Sequence, residues 1–208
     1  MATNNAPRGL VLAKKNGDGS NSTGIRTIDL NGASPAVASA LIPSDVFTGD
    51  PVFIEAAGTI KPSTNNNIKV AGVFQGCSFV NANGEQKFAR SITGGVTATD
   101  VKIHIASDPD QTFFVQMNGP VTAAAGLGFG VLNTNIVTGT GSHKTGMSGY
   151  TGAANAPVVT DQHLRVIRRA PWDIGTSSSI GETDTYPWYE VRINKHFDNY
   201  VTCTLSTS

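Results

Sequence analysis

The chain has 208 residues with 15 basic and 15 acidic side chains, so its formal charge is zero and no basic surface marks a nucleic-acid or anionic-membrane partner. Only 14% of residues are charged against 39% hydrophobic, and 23 are glycine. That balance suits a compact body with long irregular connections and, for want of mutual repulsion, favours association over a dispersed monomer.

Residues 1–30 hold one short apolar run, "GLVLA" from Gly9, among Gly and Asn turns. We expect an extended N-terminal arm over 1–30 and a single β-rich domain over 31–208. No run approaches the roughly 18 apolar residues of a membrane span, and no export signal is read. The sequon at Asn21 is therefore expected to be unused. Next comes "SPAVASALIP", the one helix-like segment, with Ser34 as cap, Pro35 in the first turn and Pro43 as stop. It allows a turn or two at most.

The rest reads as short strands. "PVFIEA" from Pro51 and "IKVAGVF" from Ile68 are apolar runs of strand length. "VKIHI" alternates, with Val101, Ile103 and Ile105 on one face and Lys102 and His104 on the other. "FVQMN" turns Val115 and Met117 inward, and "HLRVIR" follows from His163. "WYEVRIN" sets Tyr189, Val191 and Ile193 against Glu190, Arg192 and Asn194, and "YVTCTL" from Tyr200 closes the series. Many short strands punctuated by Gly, Pro and Asn predict an all-β fold, a small β-barrel or β-sandwich with long Gly/Ser/Thr-rich loops. The longest such stretch, Leu132 to Thr160, is nearly uncharged and is expected to lie against a partner surface.

Constellations that could carry chemistry dissolve on inspection. In "SDPD", Asp108 and Asp110 sit where Ser, Asp and Pro build a type I turn, and the flanking residues lack the pattern of a calcium loop. "GTGSHKTG" has His143 where a phosphate-binding loop needs glycine before its lysine, and "GLGFG" from Gly126 is not a dinucleotide fingerprint. His104, His143, His163 and His196 are widely spaced, and Cys77 and Cys203 belong to no C-x-x-C pair, so they read as two reduced thiols. No nucleophile elbow occurs. We therefore assign no catalytic, cofactor-binding or metal residues, expect no cofactor, and read the chain as not an enzyme. Trp172 and Trp188 admit two readings, a sugar-stacking platform or core-edge residues bonding by their polar tips, and at 7% aromatic residues the second is preferred. Arg165, Arg168 and Arg169 read as salt-bridge partners at a rim.

Taken in order, "IPSDVFTGDPVFIEAAG", "VAGVFQGCSF", "SDPDQTFFVQMNG", "TGMSGY", "LRVIRR" and "WYEVRINKH" resemble the small capsid decoration, or cement, proteins of tailed bacteriophages. The resemblance runs from about Ile42 to His196, and the first 30 or so residues have no counterpart in it. It implies a non-enzymatic virion structural protein, β-rich and often a homotrimer. Such a protein is assembled in the host bacterial cytoplasm and placed on the outer surface of the head. There it braces neighbouring major capsid protein subunits against internal DNA pressure, without nucleic acid or membrane as a partner. The alternative is a receptor- or carbohydrate-binding β-module of a phage tail or other virion appendage.

Overall fold

The computed structural model describes residues 5–13, 24–30, 41–55, 58–63, 69–121, 133–154, 162–173 and 185–198. Their regular elements are all strands: β1 (Val11–Leu12), β2 (Ile25–Asp29), β3 (Val46–Phe47), β4 (Pro51–Ile54), β5 (Ile60–Pro62), β6 (Gly72–Val80), β7 (Gln86–Ala89), β8 (Ser91–Ile92), β9 (Thr99–Ala106), β10 (Thr112–Gln116), β11 (Asn133–Thr134), β12 (Ile136–Val137), β13 (Thr151–Gly152), β14 (Leu164–Arg169) and β15 (Trp188–Ile193). The all-β class expected from the alternation is what these residues form. Most of the segment expected as a helical turn, and all of "YVTCTL", lie outside the described residues.

Two antiparallel sheets carry the fold. One has five strands in the order β1-β10-β15-β14-β11, the other six in the order β2-β9-β6-β4-β5 with β7 also on β6. Two small ribbons, β3-β8 and β12-β13, complete the set, and among the described residues no sheet closes into a barrel. Both outer strands β1 and β2 come from the segment expected as an arm. Val11 pairs with Phe114, and Ile25 with Ala106.

The pleat of two central strands divides the interior into two cores. In β6, Val73 enters a core with Phe113, Val115, Leu164, Tyr189 and Val191, whereas its neighbour Phe74 enters a second core with Val101, Ile103 and Ile105. Successive side chains of a strand point to opposite faces, so one strand serves both. Ile105 and Ala106 of β9 repeat the division. The second core is capped by Val46 and Ile92 of the β3-β8 ribbon.

"SDPD" is a turn, as expected, but not a hairpin corner. Asp108 Oδ1 accepts the Asp110 amide at 2.9 Å and the Asp108 carbonyl accepts that of Gln111 at 3.1 Å. That aspartate turn hands the chain from β9 in the six-stranded sheet to β10 in the five-stranded one. A true hairpin that sequence reading passed over joins β6 to β7: Asn81 Oδ1 accepts from the amides of Asn83 and Glu85, and Gly84 takes φ +78°. Its "NANG" is a turn signal of the usual kind.

The stretch expected to lie against a partner lies, over its described part 133–154, against the chain itself. The Thr48 amide donates to the Gly146 carbonyl at 3.0 Å and the Ser148 amide to the Thr48 carbonyl at 2.9 Å. Its small residues are what permit this. A Cβ on Gly141 would run into the Phe47 ring.

Candidate functional site

The inward-facing residues of "VKIHI", "FVQMN" and "WYEVRIN" are buried as expected, but the opposite face of the five-stranded sheet is not simply solvated. Gln116 and Glu190, both expected outside, are 1% and 3% exposed. The cover comes from three sources. The N-terminal segment crosses Gln116, whose Oε1 accepts the Ala6 amide at 3.0 Å. Arg168 reaches across from β14 and donates through Nε to Glu190 Oε2 at 2.6 Å. Trp172, from the turn after β14, stacks edge-to-face on Phe114 with ring centroids 4.2 Å apart.

Trp172 corrects the reading that placed it at a core edge: it is 59% exposed. The cause lies in the turn. The Ala170 amide donates to the Trp188 carbonyl, and the Asp173 amide to the Ala170 carbonyl, so β14 ends and the chain turns outward at Pro171 and Trp172. Asp173 is buried and its Oδ2 accepts the Trp188 amide at 2.6 Å. Its other oxygen stands 3.4 Å from Arg169 Nη2. One carboxylate thus sets the turn that carries Trp172 against the strand start that carries Trp188.

Between these indoles, Phe114, Arg8 and Gln116 lies a groove of about 370 Å³, with Ala6 and Val11 completing its wall. The register explains the grouping. Phe114 and Gln116 are two apart on β10, Trp188 is the partner of Gln116 on β15, and Val11 is the partner of Phe114 on β1. Of the groove's residues the sequence had singled out only the two tryptophans. Arg8 lay in a segment without periodicity, and its proximity depends on a pairing across about a hundred residues of chain.

The other marked residues are scattered. His104 is half-buried with Nδ1 3.0 Å from the Thr27 hydroxyl. His143 is exposed, paired with Asp45 at 2.8 Å and edge-on to Phe47. Hydrogen bonding from the Gly94 amide, then from His143, holds the Asp45 carboxyl below its ordinary range. His163 and His196 are buried apart from both. Among the described residues no three His, Cys, Asp or Glu side chains group as a metal site would need. Asp110 lies 3.5 Å from Arg192. Cys77 is buried, which pushes its thiol up to about 11. Cys203 lies outside the described residues.

A second cavity, about 410 Å³, opens beside Phe47, Tyr150 and His143 and reaches Asp50. Asp50 is 2% exposed; its Oδ2 accepts the Phe47 amide at 2.8 Å, and Oδ1 has no hydrogen-bond partner among the described residues. Burial pushes the carboxyl up to about 6, against hydrogen bonds from Ser148 and Phe47 that favour its ionised form. The two cavities therefore differ in kind, one an open aromatic groove with a cation at its rim, the other a buried acid in a structural junction. No protein-family model, curated protein or solved structure matches the chain.

Proposed function

We propose that the chain is a non-enzymatic structural protein of a tailed-phage virion, one that binds the outer surface of the assembled head and ties neighbouring major capsid subunits together. The observation that supports this best is the distribution of its exposed apolar side chains. Ile25, Phe88, Trp172 and Phe197 are 50%, 78%, 59% and 58% exposed. They stand on β2, on β7, after β14 and after β15; Phe197 lines a cavity beside Arg26 of β2, while Phe88 and Trp172 stand on different sheets, so the four do not gather in one patch. A protein with one partner concentrates such residues in one patch, whereas a lattice component touches several neighbours through several small contacts.

The zero formal charge and the ordered segments that resemble cement proteins point the same way. Weak contacts suffice, because symmetry multiplies them across a shell and a ligand that prefers the mature lattice stabilises it by mass action. Self-association, with a trimer favoured, belongs to the same proposal. The test is sedimentation of the purified chain with empty expanded heads: saturable pelleting at a fixed ratio to capsid subunits is the expected result, and a chain that stays in the supernatant at every ratio sinks the reading.

A further inference from the structure

The aromatic groove on the five-stranded sheet has a composition that specifies its ligand more closely than an interface patch would. Its volume of about 370 Å³ lies within the roughly 300–1,000 Å³ of small-molecule sites. Two indoles and a phenyl ring supply flat apolar surface, and Phe114 supports the Trp172 ring edge-to-face while more than half of that residue stays open. The indole N–H groups of Trp172 and Trp188 and the guanidinium of Arg8 have no hydrogen-bond or ion-pair partner among the described residues. Among the described residues no carboxylate lines the groove.

Every one of those unengaged polar groups is a donor, since indole N–H and guanidinium have no acceptor capacity. A complementary ligand is therefore rich in acceptor oxygens, carries one apolar face to lie on an indole, and offers a negative group to the single cation. A sugar ring has one face of C–H groups and an edge of oxygens, and a uronic or similar acid adds the carboxylate that a guanidinium grips in bidentate fashion. We propose that this groove binds an acidic saccharide, with Trp172 as the stacking platform, Arg8 as the carboxylate anchor and Trp188 as the inner wall.

The position suits recognition of a surface-bound glycan. Trp172 stands on the turn after β14 rather than within a strand, and its ring is open to a ligand, being 59% exposed. Asp173 keeps the platform in place by fixing the turn to the start of β15. Nothing in this depends on the decoration reading. A head component and a free module would use the groove alike.

The experiment is a titration of the full chain, followed by tryptophan fluorescence and calorimetry, with tri-galacturonate and, in parallel, the neutral trisaccharide galactotriose. Tri-galacturonate should bind saturably and at least tenfold more tightly than galactotriose, and added salt should erode the difference. Trp172→Ala should abolish the response to both, and Arg8→Met should bring the acidic sugar down to the neutral one. Both side chains are exposed, so the variants are expected to fold, and their thermal melts check this. No saturable response to tri-galacturonate, equal affinity for the two sugars, or binding that survives Trp172→Ala would each overturn the proposal. Head co-sedimentation of the wild-type chain and of Arg8→Met, which alters none of the exposed apolar side chains, reads the decoration role separately.

Discussion

Asp173 accepts the backbone N–H of Trp188 at 2.6 Å and directly follows Trp172 in the chain, so one buried carboxylate sets the spacing of both indoles. Asp173→Ala leaves the part-buried Trp188 amide without its acceptor and removes a carboxylate 3.4 Å from Arg169 Nη2. A cost of about 2 to 3 kcal/mol in unfolding free energy follows from stranding such groups. Urea denaturation should show it as a lower midpoint with unchanged slope, and the native tryptophan emission should shift to the red as the groove loosens. Asp173→Asn, which keeps one acceptor, should cost about half as much by the same reasoning. Equal stability of both variants with wild type would mean that the strand start is held by something else.

Gly9 and Gly49 make a second junction, where the N-terminal segment crosses the turn before β4. The Leu10 amide donates to the Gly49 carbonyl at 2.9 Å, and both glycines hold positive φ, +67° and +97°. A Cβ on Gly9 would run into the Gly49 carbonyl oxygen and the Ser148 side chain. Strain in φ and the clash add, so Gly9→Ala is expected to cost about 2 to 3 kcal/mol, above the 1 kcal/mol or so typical of a point substitution. Limited proteolysis should then cut first near residue 9. Gly84→Ala, with no atom within 4 Å of the added methyl and only φ to strain, is the control and should cost less.

Phe88 tests the head-binding reading at its most exposed point. It is 78% exposed on β7, opposite Ser78 in the register of β6, and contributes to neither core. Phe88→Ser should leave the unfolding free energy within the small range of surface substitutions, about 0.5 kcal/mol either way. Its affinity for expanded heads should fall about tenfold or more if the ring is an anchor in a partner's pocket. Unchanged pelleting would remove Phe88 from the interface and weaken the case that the scattered apolar residues are contact points.

How much of this was legible depends on which signals are local. Alternation in "VKIHI" placed Val101, Ile103 and Ile105 correctly because over 101–105 one face of β9 is core and the other is not, the second face entering a core only at Ala106. The same reasoning failed for Glu190 and Gln116, since the cover over them comes from Arg168 and Ala6, distant in sequence. "SDPD" announced a turn but not which sheets it joined; turn chemistry fixes the local backbone, and sheet partnership is decided by residues far along the chain. β2 was invisible because "IRTID" is an edge strand with one half-buried and four exposed positions, leaving no apolar face to repeat. Trp172 was misjudged for the opposite reason: composition argued for burial, while a hydrogen-bonded turn after β14 decided its exposure.

Two buried titrating groups pull the stability of the fold in opposite directions with pH. The Asp50 carboxyl is raised by burial from 3.8 to about 6. Between those values the native state keeps a proton that the unfolded chain has released, so this group's contribution to stability falls as pH rises from about 4 to 6 and is flat above; two units correspond to about 3 kcal/mol. His196, 1% exposed, is lowered by burial, with Asp198 and Asp108 acting against that. Its folded state resists protonation, so its contribution is present above about 6.5 and is lost as pH falls below that. Asp50→Asn removes the first slope alone. The amide oxygen can still take the Phe47 N–H, while the nitrogen replaces the partnerless Oδ1 at the cost of a buried donor. The variant should therefore be more stable than wild type by about 1 to 2 kcal/mol at pH 7.5 and no more stable at pH 4, with the fall below pH 6.5 becoming steeper. Thermal melts of both proteins from pH 4 to 8 read this directly. A gain of equal size at every pH would show that the benefit is one of packing, and that the carboxyl at the junction of Gly49 and Ser148 is not carrying a buried charge at neutral pH.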